Sequence, residues 1–269
     1  MVRGADTLGR VATPTAPAAD ELKGRVKSFW EATPCGSSYA SAPEGTREYF
    51  EEVERARYEL EPFLPRFADF DGARGKRLLE IGVGLGTDFV NFVRAGAEAT
   101  GVDLTERGVE LVRRRLELEG LSANVVVADA ERLPFPDRSF DRVYSWGVLH
   151  HTPDTPRAVR EALRVLAPGG EFCIMLYARV SWVALGFWLR YGLLVGRPWR
   201  SFADVIAVTE SDGTKAYTEA EVRQMFAGAD ELRIDRVITP YDRRYVGRLA
   251  DRVPQLGWFL VVRGRARAA

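Results

Sequence analysis

The sequence predicts an α/β protein built on a doubly wound, mostly parallel seven-stranded sheet with an antiparallel edge strand, and three observations predict it. After Asp71, short β-like runs alternate with stretches at helical spacing, the pattern of strands joined by crossover helices. The strand runs are apolar throughout, as strands covered on both faces require. The last two runs, "ELRIDRVITPY" and "GWFLVVRGR", are close in sequence, so they are expected to pair antiparallel at the sheet edge.

Taken in order, residues 1–20 are rich in Ala, Pro and Thr and read as a disordered leader with no apolar core of a secretory signal. Residues 21–70 form an N-terminal helical cap. In "TREYFEEVERARYELEPFL", Tyr49, Phe50, Val53, Ala56 and Leu60 recur near helical spacing, Thr46 caps the start, and Pro62 and Pro65 end it. Ahead of it, "FWEATPCGSSYASAPEG" reads as a long aromatic loop.

The core is expected over 71–269. Its strands are "RLLEIGV", "AEATGVDL", "ANVVVADA", "SFDRVYSWGVL" and "EFCIMLYA", with helices stopped at Gly96, Gly120 and the Gly169–Gly170 pair. An inserted helical lid, about 180–216, carries the apolar run "SWVALGFWLRYGLLVG". That run is shorter than the roughly 18 residues a membrane span needs and holds Arg190. Thr218 and Glu221 make a capping box for the next helix.

The first strand ends in "EIGVGLGTD". In an open parallel sheet, ligands bind beyond the carboxyl ends of the strands, so Gly82, Gly84 and Gly86 line that crevice. A dinucleotide fingerprint, G-x-G-x-x-G, would need glycine where Thr87 stands. What remains is E-x-G-x-G-x-G. Glu80 is awkward beside a pyrophosphate and suits a positively charged ligand instead.

This motif resembles the first motif of the class I S-adenosylmethionine-dependent methyltransferases, of the small-molecule kind, and the rest of the family's set follows in order over about 78–176. The resemblance implies a Rossmann-like fold and S-adenosylmethionine as cofactor. It gives Asp103, next to Leu104 in "GVDLT", the ribose hydroxyls, and Asp129 with Ala130 the adenine. The backbone at Ser145 and Trp146 is expected to meet the cofactor's ammonium. Trp30 and Tyr39 resemble a gate over the methionine end. His150 and His151 follow the fourth strand, and either is a candidate general base. Trp182, Phe187, Trp188 and Tyr191 of the lid are expected to wall an apolar acceptor site, unless that helix only covers the sheet or makes a dimer contact.

The expected activity is methyl transfer to oxygen, nitrogen or carbon of a largely apolar small molecule, in specialised metabolism. The rival readings keep the cofactor without methyl transfer, as a cyclase-like enzyme or a non-catalytic subunit. Composition narrows the partners. Lys plus Arg equals Asp plus Glu at 38 each, which does not make a nucleic-acid footprint. No N/D-P-P-Y motif follows the fourth strand, where "SWGV" stands instead. The basic "RGRAR" at 263–267 reads as a solvated tail. Cys35 and Cys173 show no metal spacing and no disulfide framework, so a cytoplasmic protein without a metal, monomeric or homodimeric, is expected.

Overall fold

The computed structural model describes residues 19–207 and 211–268. The expected leader therefore lies outside the described residues, except that Ala19 and Asp20 already begin the first helix. The N-terminal cap comprises α1 (Ala19–Ala32), α2 (Arg47–Leu60) and the short α3 (Leu64–Ala68). Trp30 is thus helical rather than in the loop. Thr46 caps α2 by accepting the N–H of Tyr49. Pro62 follows the end of α2, while Pro65 opens α3 instead of ending a helix, its fixed φ suiting a first turn.

The core then runs β1 (Arg77–Ile81), α4 (Thr87–Arg94), β2 (Glu98–Asp103), α5 (Glu106–Glu119), β3 (Asn124–Val127), β4 (Phe140–Trp146), α6 (Thr155–Arg164) and β5 (Leu166–Tyr177). The lid supplies α7 (Trp182–Tyr191) and α8 (Phe202–Ile206). It is followed by α9 (Glu219–Met225), β6 (Ala229–Val237), α10 (Pro240–Val246), α11 (Leu249–Arg252) and β7 (Phe259–Ala266). The capping box at α9 is formed as expected.

The sheet has seven strands in the order β3-β2-β1-β4-β5-β7-β6. β1 to β5 are parallel neighbours, while β7 runs antiparallel to both β5 and β6. The expected antiparallel pair is there, with β7 inserted inside and β6 outermost. Strand order reverses between β1 and β4, so their carboxyl ends frame a crevice.

Both faces are covered. On one, Leu78, Tyr144 and Val261 pack with Phe89 and Phe92 of α4 and Val112 of α5. On the other, Leu79, Val143 and Ile174 meet Val159 of α6 and Phe226 of α9. The cap is bound to this core through α2, whose Phe50 and Val53 pack with Leu111 of α5. Arg115 of α5, 1% exposed, pairs there with Glu54 and lies over the Phe50 ring. Removing one partner of such a buried pair costs about 3–5 kcal/mol.

Two expectations fail locally. Gly169 and Gly170 do not stop α6, which ends at Arg164; they lie in the irregular start of β5, where a Cβ on Gly170 would meet the carbonyl of Ala167 at 2.8 Å. Two of the three arginines of "RGRAR" are not in a tail, while Arg267 lies beyond the last strand and is exposed. Arg263 and Arg265 are in β7, paired with Asp235 at 2.6 Å and Glu171 at 2.7 Å.

Candidate functional site

A single cavity of about 460 Å³ opens at the carboxyl ends of β1, β2, β3 and β4 and runs beneath the cap and lid. Its wall includes Glu80, Gly82 and Gly84 of the first turn, Asp103 and Leu104 after β2, and Asp129 and Ala130 after β3. Trp30 and Tyr39 of the cap, and Trp146 and His151 after β4, also reach it. Gly86, Ser145 and His150 do not line it.

The turn after β1 is shaped by close packing as much as by a ligand. Gly82 has φ 83°, and a Cβ there would lie 2.2 Å from Cγ2 of Val148. Gly84 also has positive φ, but a Cβ there would meet nothing within 4 Å. Only Gly84 keeps its open side for a ligand. Gly86 is corrected to a structural role: it caps α4 and lies against Val112.

Asp103 fixes this turn from β2. Its Oδ2 accepts the N–H of Gly84 at 2.9 Å, and its Oδ1 accepts from the hydroxyl and N–H of Thr105 at 2.6 and 3.0 Å. Asp129 Oδ1 accepts the N–H of Glu131. Its Oδ2 is 2.6 Å from Lys23 of α1, which also reaches Glu131 at 2.7 Å. Lys27 of the same helix pairs with Glu106 at 2.8 Å. The cap is therefore fastened over this end of the cavity by ion pairs.

Glu80 is 4% exposed, and its Oε2 has no hydrogen-bond partner. Burial first, and then the negative charge of Asp88, push its pKa well above the usual carboxylate range. Around it lies a polar cluster the sequence did not reveal. Asp88 of α4 accepts from Tyr58 and Tyr144 at 3.1 and 3.0 Å and lies 3.4 Å from Arg57 of α2. Arg57 is also 3.7 Å from Glu61, which takes the indole N–H of Trp146 at 2.9 Å. Of three buried carboxyls here, Glu61 and Asp88 pair with the one guanidinium of Arg57, while Glu80 does not reach it. An orphaned carboxyl oxygen in an acid-rich floor fits a ligand bringing its own cation.

Trp146 lines the cavity away from Asp129. Its ring packs among Phe63, Phe67, Tyr144 and Phe259, with β1 and β2 between its strand and β3. The Ser145 side chain points to the opposite sheet face and donates to the Ile81 carbonyl at 2.9 Å. The two histidines separate as well. His150 is fully buried, its ring tilted against that of Tyr177 at 3.8 Å, with neither ring nitrogen partnered. It lies behind the cavity wall. His151 does line the cavity. Its Nδ1 lies 2.9 Å from the Ser211 hydroxyl and 3.1 Å from that of Thr214, and its ring meets Trp30 edge-on. Burial pulls its pKa down to about 3, helped by Lys215.

Of the four lid aromatics expected at the acceptor end, Phe187 alone lines the cavity; Trp188 packs against Phe202 instead. The apolar wall is completed by Tyr177, Trp258 and Phe259 and by Tyr241 and Tyr245 of α10. Tyr241 faces the cavity together with Tyr39 of the cap. Trp258, Phe259, Tyr241 and Tyr245 belong to the last third of the chain and carry no motif, so nothing local in the sequence pointed to them.

The strand order, the acidic residues at the ends of β1, β2 and β3 and the glycine turn together fit the class I methyltransferase resemblance seen in the sequence. Comparison with known proteins agrees. Residues 79–174 match the family described as "Methyltransferase domain". The chain is 40% identical over 103 residues to 27-O-demethylrifamycin SV methyltransferase of Amycolatopsis mediterranei, covering 37% of this chain and 38% of that one. It is 43% identical over 99 residues to phthiotriol/phenolphthiotriol dimycocerosates methyltransferase of Mycobacterium leprae, covering 36% of each. The matches thus span little more than a third of these relatives' length.

Among solved structures, the [4+2]-cyclase SpnF covers 97% of this chain and 100% of its own at TM-score 0.57 and 18% identity. A SAM-dependent methyltransferase from Methanosarcina mazei covers 73% of this chain and 94% of its own at TM-score 0.53 and 20% identity. At such identities the likeness concerns the fold. Residues 79–174 of the chain thus carry a methyltransferase domain.

Proposed function

We propose that the protein transfers a methyl group from S-adenosylmethionine to a largely apolar small-molecule acceptor, in the cytoplasm and as part of specialised metabolism. The observation that carries this reading is the continuity of one cavity from acidic residues at the nucleotide end to an aromatic wall at the other. Two relatives are named for small-molecule acceptors, 27-O-demethylrifamycin SV and phthiotriol dimycocerosates, which supports a small-molecule acceptor here.

In this reading Asp103 holds the ribose, Asp129 and Ala130 meet the adenine, and Glu80 answers the cofactor's positive charge. When bound, the cofactor supplies an electrophilic methyl on a sulfonium that leaves neutral. The protein's task is to align the two reactants in a dry cavity. Trp30 and Tyr39 close it from the cap, and Phe187, Tyr241 and Tyr245 hold the acceptor by apolar contact. His151, neutral but weakly basic, orients the acceptor through the cavity wall more readily than it removes a proton.

The test is a screen of apolar hydroxyl, amine and activated-carbon compounds for S-adenosylhomocysteine release, with product mass increased by one methyl. Release in step with product supports methyl transfer. Product formed without S-adenosylhomocysteine would move the protein to the cyclase-like reading.

A further inference from the structure

The lid presents its apolar residues outward as well as inward. The inner side of α7, with Val183, Ala184 and Gly186, is buried. Beyond it, Leu189, Leu193, Leu194, Val195 and Trp199 are exposed, Leu194 to 79% and Trp199 to 77%. These residues are not needed to hold the lid down. A cluster of this kind on a protein surface marks an interaction site.

Its charge says what covers it. The chain as a whole is balanced at 38 basic and 38 acidic residues. From 180 to 206, however, the charged residues are Arg190, Arg197, Arg200 and Asp204. Helix α10 packs on α7 through Phe187 and Tyr245, 5.9 Å apart, and the α10–α11 segment brings exposed Arg244 and Arg248. Among the described residues, Arg190, Arg197, Arg244 and Arg248 have no carboxylate partner within 4.0 Å. Arg190 instead lies over the Tyr191 ring. Exposed leucines and a tryptophan rimmed by unpaired arginines suit the interface of an anionic bilayer, where apolar burial and charge attraction add. Among the described residues no helix is long and apolar enough to cross a membrane, so the segment can lie on a bilayer but not span it. A two-fold contact with a second copy would bring the same arginines face to face.

We infer that the outer face of the lid, residues 189–199, docks on anionic membrane surfaces. The cavity mouth is adjacent, since Phe187, Arg244 and Tyr245 line the cavity from the same two helices. A docked protein would take a lipophilic acceptor directly from the bilayer. Binding to lipid needs neither cofactor nor acceptor, so its test stands apart from that of methyl transfer.

The test is flotation of the full chain with vesicles of phosphatidylcholine alone and of phosphatidylcholine mixed with phosphatidylglycerol. The expected result is salt-sensitive binding to the anionic vesicles. It should weaken about tenfold or more in Leu194→Ser/Trp199→Ser and in Arg190→Ala/Arg197→Ala, with circular dichroism and S-adenosylhomocysteine affinity unchanged. Absence of binding, or equal binding by both variants, would overturn the inference. So would a solution dimer, seen by light scattering, that the Leu194→Ser/Trp199→Ser variant dissolves: the patch would then belong to a second copy.

Discussion

Asp103 Oδ2 accepts the backbone N–H of Gly84 at 2.9 Å, so one carboxylate both shapes the glycine turn and lines the cavity beside it. The end of β2 is thereby locked to the turn after β1. Part of the binding site is formed before any ligand arrives.

Replacing Asp103 with alanine removes that tether and the carboxylate proposed for the ribose. A hydrogen bond to a charged group contributes about 1.5–3 kcal/mol, so S-adenosylhomocysteine affinity should fall roughly tenfold to hundredfold. Calorimetry checks it, with a thermal melt to separate loss of the turn from loss of the ligand contact. Unchanged affinity would remove Asp103 from the site.

The two glycines of the turn should fail differently. Gly82→Ala drives a methyl to 2.2 Å from Val148 at φ 83° and should cost roughly 2–4 kcal/mol of stability. Gly84→Ala meets open space, so its larger effect should be on cofactor affinity. Melting temperatures and titrations of the two variants decide it. Equal destabilisation by both would contradict the assignment of Gly84 as the ligand-facing glycine.

Glu80 should couple cofactor binding to proton release. Its pKa is raised in the folded protein by burial and by Asp88, and pairing with a cation lowers it again. Titrations of S-adenosylmethionine in buffers of different ionisation enthalpy should show protons leaving the complex at mildly acidic pH. Glu80→Gln should abolish that release and weaken binding. Heats independent of the buffer in the wild type would show that no cation meets Glu80.

These expectations divide along what a sequence can express. Glu80, Asp103 and Asp129 were legible because each follows a strand in a short local pattern, and the alternation of strands and helices places strand ends together. The cluster under the cavity was not. Arg57 and Asp88 are 31 residues apart, and Asp88 and Tyr144 are 56 apart; only the packing of α2 on α4, and of α4 on the sheet, joins them. His150 and His151 share one motif, yet the turn after β4 sends one ring into the core and the other to the cavity. The lid's aromatic composition foretold an apolar wall, but the α10 packing decides which rings form it.

The histidines also give a pH dependence. Both have folded pKa values lowered by burial, that of His151 to about 3, against about 6.5 when unfolded. The unfolded chain then binds more protons, so their stabilising contribution is present above pH 6.5 and is lost as pH falls toward 3. Carboxyls with raised pKa, Glu61 and Glu80, act in the opposite sense, so a variant isolates the effect. His150→Phe, whatever its absolute stability, should lose less stability than the wild type between pH 7 and pH 5 in urea unfolding. An identical pH slope would show that His150 is not held neutral.

The most direct test of the site as a whole is a crystal structure with S-adenosylhomocysteine bound. The account predicts ribose density at Asp103, adenine beside Asp129 and Ala130, and the amino group near Glu80. Density placing the nucleoside elsewhere, or a cavity that accepts a nicotinamide dinucleotide in preference, would contradict it.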